Sequence, residues 1–181
     1  ILSSIENGGS LIVIGSYVPK TSVQLQVLKD HSDAVFLELD VSNVQDRLLF
    51  EQDVNHLSEK VNQHIKANHE VVLYTSRTIV KGNTKAESLD IVNRVSNGLI
   101  SIIKQLKTQP KYIVAKGGIT SSDVATKGLN VKRALVLGQV LKGVPVWKLG
   151  NETKFPDMPY IVFPGNVGDN NALYQLTKLL R

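Results

Sequence analysis

Three stretches of the sequence place small residues, hydroxyls and amides directly behind a short apolar run, and that combination can hold an anion. They are Gly15-Ser16-Tyr17-Val18-Pro19-Lys20-Thr21-Ser22 after LIVI, Lys116-Gly117-Gly118-Ile119-Thr120-Ser121-Ser122-Asp123 after YIVA, and Pro164-Gly165-Asn166-Val167-Gly168-Asp169-Asn170 after YIVF. Glycine lets backbone approach a ligand closely. A helix starting just behind it offers free N–H groups and a partial positive charge, which suits phosphate. Any α/β protein also needs capped turns of this kind, so the first stretch alone reads as structural. The second carries two consecutive glycines and then four polar residues, and in the third Gly165 and Gly168 flank Asn166. Both are richer than a turn demands.

Four cations lie near strand ends and could meet a phosphate: Lys20, Arg77, Lys81 and Lys116. Arg77 is the most pointed, because a bidentate guanidinium matches phosphate geometry. Taken singly, each reads first as a solvated charge. Asp123 and Asp169 sit near expected helix starts, where a carboxylate complements the dipole; capping is the first reading and Mg²⁺ ligation the second. Other chemistries fail on spacing. The run from Gly15 to Lys20-Thr21 lacks the second glycine of a P-loop and is a residue short. No G-x-G-x-x-G follows a strand, no G-x-S-x-G elbow exists, and no pair among His31, His56, His64 and His69 has a carboxylate at metal-ligand spacing. The histidines read as surface groups, and no metal site is expected from the chain itself.

These loops need elements to position them, and the pattern alternates. Strands are expected at Leu11–Gly15, Ala34–Leu39, Val71–Thr75, Tyr112–Ala115 and Tyr160–Phe163, with further ones at Arg133–Leu137 and Val144–Leu149. Near-continuous apolar runs are what a parallel sheet covered on both faces requires. Phe50, Val54, Leu57, Val61 and Ile65 form one helical stripe between Asp46 and Ala67. Leu89, Val92, Val95, Leu99, Ile102, Ile103 and Leu106 form another between Ser88 and Lys107. Ser42-x-x-Gln45 and Thr84-x-x-Glu87 match capping boxes at their starts. Shorter helices are expected over Thr21–Lys29 and Asn170–Leu180. The fold class is α/β, three layers with a mostly parallel sheet and helices on both faces. The GNETKFPDMP stretch, Gly150–Pro159, reads as a loop too short for a boundary, so one domain is expected over 1–181.

Composition narrows the function. The 181 residues, 42% hydrophobic and 20% charged, are enough for a globular core and exclude disorder. Cysteine is absent, which removes disulfides, thiolate metal sites and a thiol nucleophile, and fits a reducing, cytoplasmic setting. The net charge of +5 could favour an anionic ligand. The single Trp147 and five tyrosines are not interleaved with basic clusters, so nucleic acid is not an expected partner. No apolar run approaches the ~18 residues of a membrane span, and no membrane partner is expected. Ile1–Ser10 lacks the pattern of a signal peptide, and a start at Ile1 without Met points to a piece of a longer protein.

The run from Lys116 to Leu149, with Phe163–Asp169 and Gly15–Leu28, resembles the C-terminal nucleotide-binding domain of the four-carbon acid sugar kinases. The resemblance covers most of the chain and keeps the three glycine motifs in the family's order. It implies a kinase that phosphorylates threonate, erythronate or related 3-oxo acids with ATP and Mg²⁺. It also implies an N-terminal domain outside this chain that holds most of the sugar-acid contacts, with the active site between the two. ATP contacts are implied for Ser16, for Gly117, Gly118, Ile119 and Thr120, and for Gly165, with Asn166 beside it. Many members have Glu where this chain has Ile119, a change that a backbone contact survives and a carboxylate role does not. Members often carry a second serine near Val18, which leaves two positions in the first loop for the ATP contact. No catalytic residue is assigned, and a homodimer is one assembly the resemblance allows.

Two other classes stay open at this stage. The same loops could serve a non-catalytic nucleotide- or phosphosugar-binding module that regulates a partner, or an NAD-type oxidoreductase domain that has lost its glycine fingerprint.

Overall fold

Each expected apolar run becomes a strand in the computed structural model, which describes residues 8–181; the expectation for Ile1–Ser10 falls mostly outside them. The strands are β1 (Ser10–Ile14), β2 (Val35–Leu39), β3 (Glu70–Thr75), β4 (Ile113–Lys116), β5 (Ala134–Leu141), β6 (Val144–Leu149) and β7 (Pro159–Phe163). They form one sheet in the order β2-β3-β1-β4-β7-β6-β5. The first five in that order are parallel, while β6 runs antiparallel to both β7 and β5. The runs expected at Arg133–Leu137 and Val144–Leu149 thus form an antiparallel hairpin appended to a parallel sheet, turned at Gly143, whose φ is +79°.

The helices are α1 (Pro19–His31), α2 (Arg47–Lys66), α3 (Lys85–Lys104), α4 (Gly118–Asp123) and α5 (Ala172–Leu180), with a π-helical turn over Val124–Gly128 continuing α4. Alternation along the strands divides the interior in two. Leu11 and Val13 of β1 face α2, α3 and the π-helical turn, while Ile12 and Ile14 face α1 and α5. Each face therefore buries a full layer of aliphatic side chains, which is where most of the hydrophobic stabilisation arises.

Two local expectations are corrected. The start of α2 is capped by Asp46, whose Oδ1 accepts from Leu48 N and Leu49 N at 3.1 Å each. Ser42 instead donates its hydroxyl to Asp40 at 2.8 Å. A carboxylate immediately before the apolar stripe outcompetes a hydroxyl four residues earlier. At α3 the pattern is nearer the expectation: Thr84 Oγ1 accepts from Glu87 N at 3.1 Å, and Glu87 reaches back to Asn83 N rather than to Thr84 N. The α3 stripe is also narrower than its sequence pattern. Val95, Leu99, Ile102 and Ile103 are buried, whereas Leu89 and Val92 are 62% and 58% exposed.

Candidate functional site: a cleft at the meeting point of three loops

The chain leaves β1 towards one edge of the sheet and leaves β4 towards the other, so the loops that follow these neighbouring strands part and leave a crevice. In open α/β sheets this switch point is where ligands bind. Here the crevice is a cleft of about 570 Å³, lined by Ser16, Gly117, Gly118, Ile119, Thr120, Gly165 and Asn166 together. All seven residues singled out in the sequence therefore meet in one place.

The loops fit through close approaches that only small residues permit. A β-carbon on Gly15 would lie 2.5 Å from Thr120 Oγ1, and one on Gly117 would lie 2.8 Å from Ser16 Cβ. Gly117 also has φ +114°, which side chains rarely adopt. One on Gly165 would lie 3.1 Å from Ser16 Oγ. Gly118 differs: a β-carbon there would meet nothing within 4 Å, so its glycine faces open space in the cleft.

Behind the second loop, Ser121 Oγ lies 2.7 Å from the carbonyls of both Ala115 and Gly117 and shares its one proton between them, and the buried Tyr160 hydroxyl donates to Ser121 O at 2.7 Å. Burial holds the Tyr160 phenol neutral by raising its pKa. These bonds fix the start of α4, and the N–H groups of Gly118, Ile119 and Thr120 belong to its first turn, where no intrahelical acceptor exists. Ile119 itself stands at the rim, 75% exposed.

Two of the four cations, Lys116 and Arg77, are not solvated charges. Lys116 is 0% exposed. Its Nζ donates to Pro164 O at 2.8 Å and Gly165 O at 3.1 Å, 3.9 Å from the centre of the Phe163 ring. Desolvation, with Lys20 nearby, lowers its pKa to about 7. Arg77 is half-buried; its Nη2 donates to Ser16 O at 2.7 Å and to Ser22 Oγ at 2.8 Å, and Nη1 is buried without a partner. Burial lowers its pKa as well. Lys20 reaches Gly168 O at 3.1 Å, while Lys81 is exposed. Three of the four expected cations thus hold loop carbonyls in place. No local sequence signal separates such a buried lysine from a surface one.

The rest of the cleft is a wall that the motifs did not announce. Val41, Ile79, Val80, Val92, Val95 and Leu99 line it, and Ile79 and Val92 are exposed to its mouth. The available signal was the width of the α3 pattern, in which Ile91 and Val92 stand side by side on more than one face. Asp123 is the one charged residue of the lining. It sits at the end of α4 rather than at its start, and its carboxylate takes Lys127 at 2.8 Å and the Ser96 hydroxyl at 2.9 Å. Asp169 does not cap α5 either: its carboxylate accepts from Asn171 N at 3.0 Å in the turn before the helix, whose start carries no side-chain cap. Among the described residues no group of three His, Cys, Asp or Glu could hold a metal ion.

Such a cleft can seat an apolar, flat group against α3 and an anion against the glycine loops. The family follows from the sequence of the whole chain, which matches the nucleotide-binding C-terminal domain over residues 11–173. The chain belongs to that family. No curated protein matches it significantly. Among solved structures, this nucleotide-binding C-terminal domain resembles a DUF1537 protein from Bordetella bronchiseptica, a domain-swapped dimer with bound citrate. That likeness has 16% identity and a TM-score of 0.72, over 97% of this chain and 42% of the other. It also resembles a Haemophilus influenzae protein of the same family at 19% identity and TM-score 0.71, over 97% and 41%. These likenesses show the fold, and the chain spans about two fifths of the length of either protein. Among the described residues no helix is long and apolar enough to cross a membrane.

Proposed function

We propose that this chain is the ATP-binding domain of a kinase that phosphorylates a hydroxyl of a four-carbon sugar acid. The observation that carries the reading is the convergence of Ser16, the Gly117–Thr120 turn and Gly165–Asn166 on one cleft with an apolar wall on α3. The nucleoside lies against the apolar wall and the phosphates against the glycine loops, with Gly118 leaving room for the closest approach. The resemblance of the three motifs to the four-carbon acid sugar kinases and the family of nucleotide-binding C-terminal domains both support it.

In the reaction the substrate hydroxyl oxygen attacks the γ-phosphorus, the bond to the β,γ-bridging oxygen breaks, and ADP leaves. Such a transfer needs positioning and charge neutralisation more than covalent help. The hydroxyl proton goes to a base outside this chain, because the lining's one carboxylate, Asp123, is already committed to Lys127 and Ser96. Among the described residues no carboxylate cluster stands ready for Mg²⁺, so the ion would enter this cleft as a companion of the phosphates.

Calorimetric titration with ATP and Mg²⁺, beside NAD and AMP, tests the nucleotide part, with Gly118→Val as the blocked cleft. Binding of ATP that the valine abolishes supports the reading; preference for NAD overturns it. Sugar-acid phosphorylation by the isolated chain would overturn the placement of the base elsewhere.

A further inference from the structure

Lys116 is among the largest fully buried side chains of the protein, and the reading above gives it no part. Its ammonium ends beneath the third loop, on the carbonyls of Pro164 and Gly165. The other side-chain donors to that loop, among the described residues, come from α1. Thr21 Oγ1 reaches Gly165 O at 3.2 Å, Gln24 Nε2 reaches Val167 O at 3.1 Å and Asp169 O at 2.6 Å, and Lys20 Nζ reaches Gly168 O. Carbonyl oxygens carry partial negative charge and would repel a phosphate; bonded to buried donors, they turn into the domain instead.

We infer that Lys116 is a positioning residue for the anionic end of the ligand: by drawing the Pro164 and Gly165 carbonyls inward it fixes Gly165 and Asn166 in the geometry that receives phosphate. The inference rests on the nucleotide reading of the cleft. A lysine serves here because its ammonium reaches two successive carbonyls from the adjacent strand and adds a positive charge beneath the loop. Nothing balances that charge close by. Lys116 makes no ion pair among the described residues. The flanking β1 and β7 carry no charged residue, Asp123 of α4 is committed to Lys127, and α1 presents Lys20. An arriving polyanion is the partner such a charge lacks.

The test is ATP affinity, measured by calorimetry on the full-length protein that contains this chain, for wild type, Lys116→Met and Thr21→Val, at pH 6 and pH 8.5. Removal of a charged donor should weaken ATP about tenfold at pH 6. The wild-type protein should lose affinity, relative to Lys116→Met, as pH rises through about 7, where the ammonium gives up its proton. Thr21→Val takes a neutral donor from the same Gly165 carbonyl, so it should weaken ATP less and keep the wild-type pH step. That step separates positioning by charge from simple packing, and Lys116→Gln supplies the uncharged reference if Lys116→Met does not fold. Wild-type binding that Lys116→Met leaves unchanged, or a pH profile shared by wild type and Lys116→Met, overturns the inference and leaves the nucleotide reading standing. Absence of a pH step in both wild type and Thr21→Val overturns it too. Failure of the wild-type protein to bind any nucleotide overturns both.

Discussion

Ser16 and Gly117 lie so close that a β-carbon on the glycine would stand 2.8 Å from the serine's own β-carbon. The first and second loops are therefore in contact, and the cleft between them has a fixed floor. Gly117→Ala should destabilise the fold by about 1–3 kcal/mol, since it combines a positive φ with a clash against backbone-bound atoms. Urea unfolding of the two proteins checks it, and a change under 0.5 kcal/mol would mean the loops can separate freely.

Gly118 gives the opposite expectation from the neighbouring position. Its β-carbon would meet nothing within 4 Å and its φ is not positive, so Gly118→Val should fold with a stability within about 1 kcal/mol of wild type. The same valine should cost ATP affinity at least tenfold. Unfolding midpoints and titration on one preparation separate the two effects.

Lys116 makes stability depend on pH with a definite sign. Its folded pKa of about 7 lies below its ordinary value of 10.5, so between those limits the unfolded chain holds the extra proton. Stability must then rise with pH across that window and be flat with respect to this group on either side. Lys116→Met should lack that rise. Urea midpoints at pH 6.5 and 9.5 for both proteins check it; parallel curves would show that the amine is not desolvated in the folded state.

Arg77, two residues beyond β3, clamps the first loop and the start of α1 through Ser16 O and Ser22 Oγ. Arg77→Met should cost about 1–3 kcal/mol by leaving those acceptors without their donor. Amide hydrogen exchange at Tyr17 and Val18 should accelerate more than exchange in β2 or α2. Uniform acceleration throughout would mean that the clamp is not local.

The buried hydroxyl of Tyr160 donates to Ser121 O in the second half of α4. Tyr160→Phe keeps the ring and removes that bond, so it should destabilise by about 1–2 kcal/mol. Near-neutral stability by thermal unfolding would show that the Val124 N–H, which also donates to Ser121 O, satisfies that carbonyl alone.

Much of this architecture was visible in the chain because its strands announce themselves. Runs such as LIVI and YIVA are apolar on both faces, and only a sheet covered twice asks for that. The glycine loops were visible for a related reason, since close approach leaves no choice of residue. What stayed hidden depends on distant partners. Lys116 and Arg77 read locally as ordinary charges, and only the third loop and Ser16 explain why they are inside. The α2 cap was misplaced because Ser42 and Asp46 offer competing oxygens, and the carboxylate nearer the stripe prevails. Val92 looked like core at helical spacing, yet its neighbours are the walls of a cleft that the sequence pattern cannot distinguish from an interior. The motifs pointed to three loops and the family resemblance to Ser16, Gly117–Thr120 and Gly165–Asn166 within them, but the apolar wall needed α3 to be laid against α4.

The third loop has one more consequence. Its carbonyls at Pro164, Gly165, Val167, Gly168 and Asp169 are all engaged by donors from α1 and Lys116. A backbone so tethered has little freedom left to surrender when a ligand arrives. The entropy of binding at that end of the cleft should then come chiefly from released water and counterions, and the loop should look the same, empty or filled.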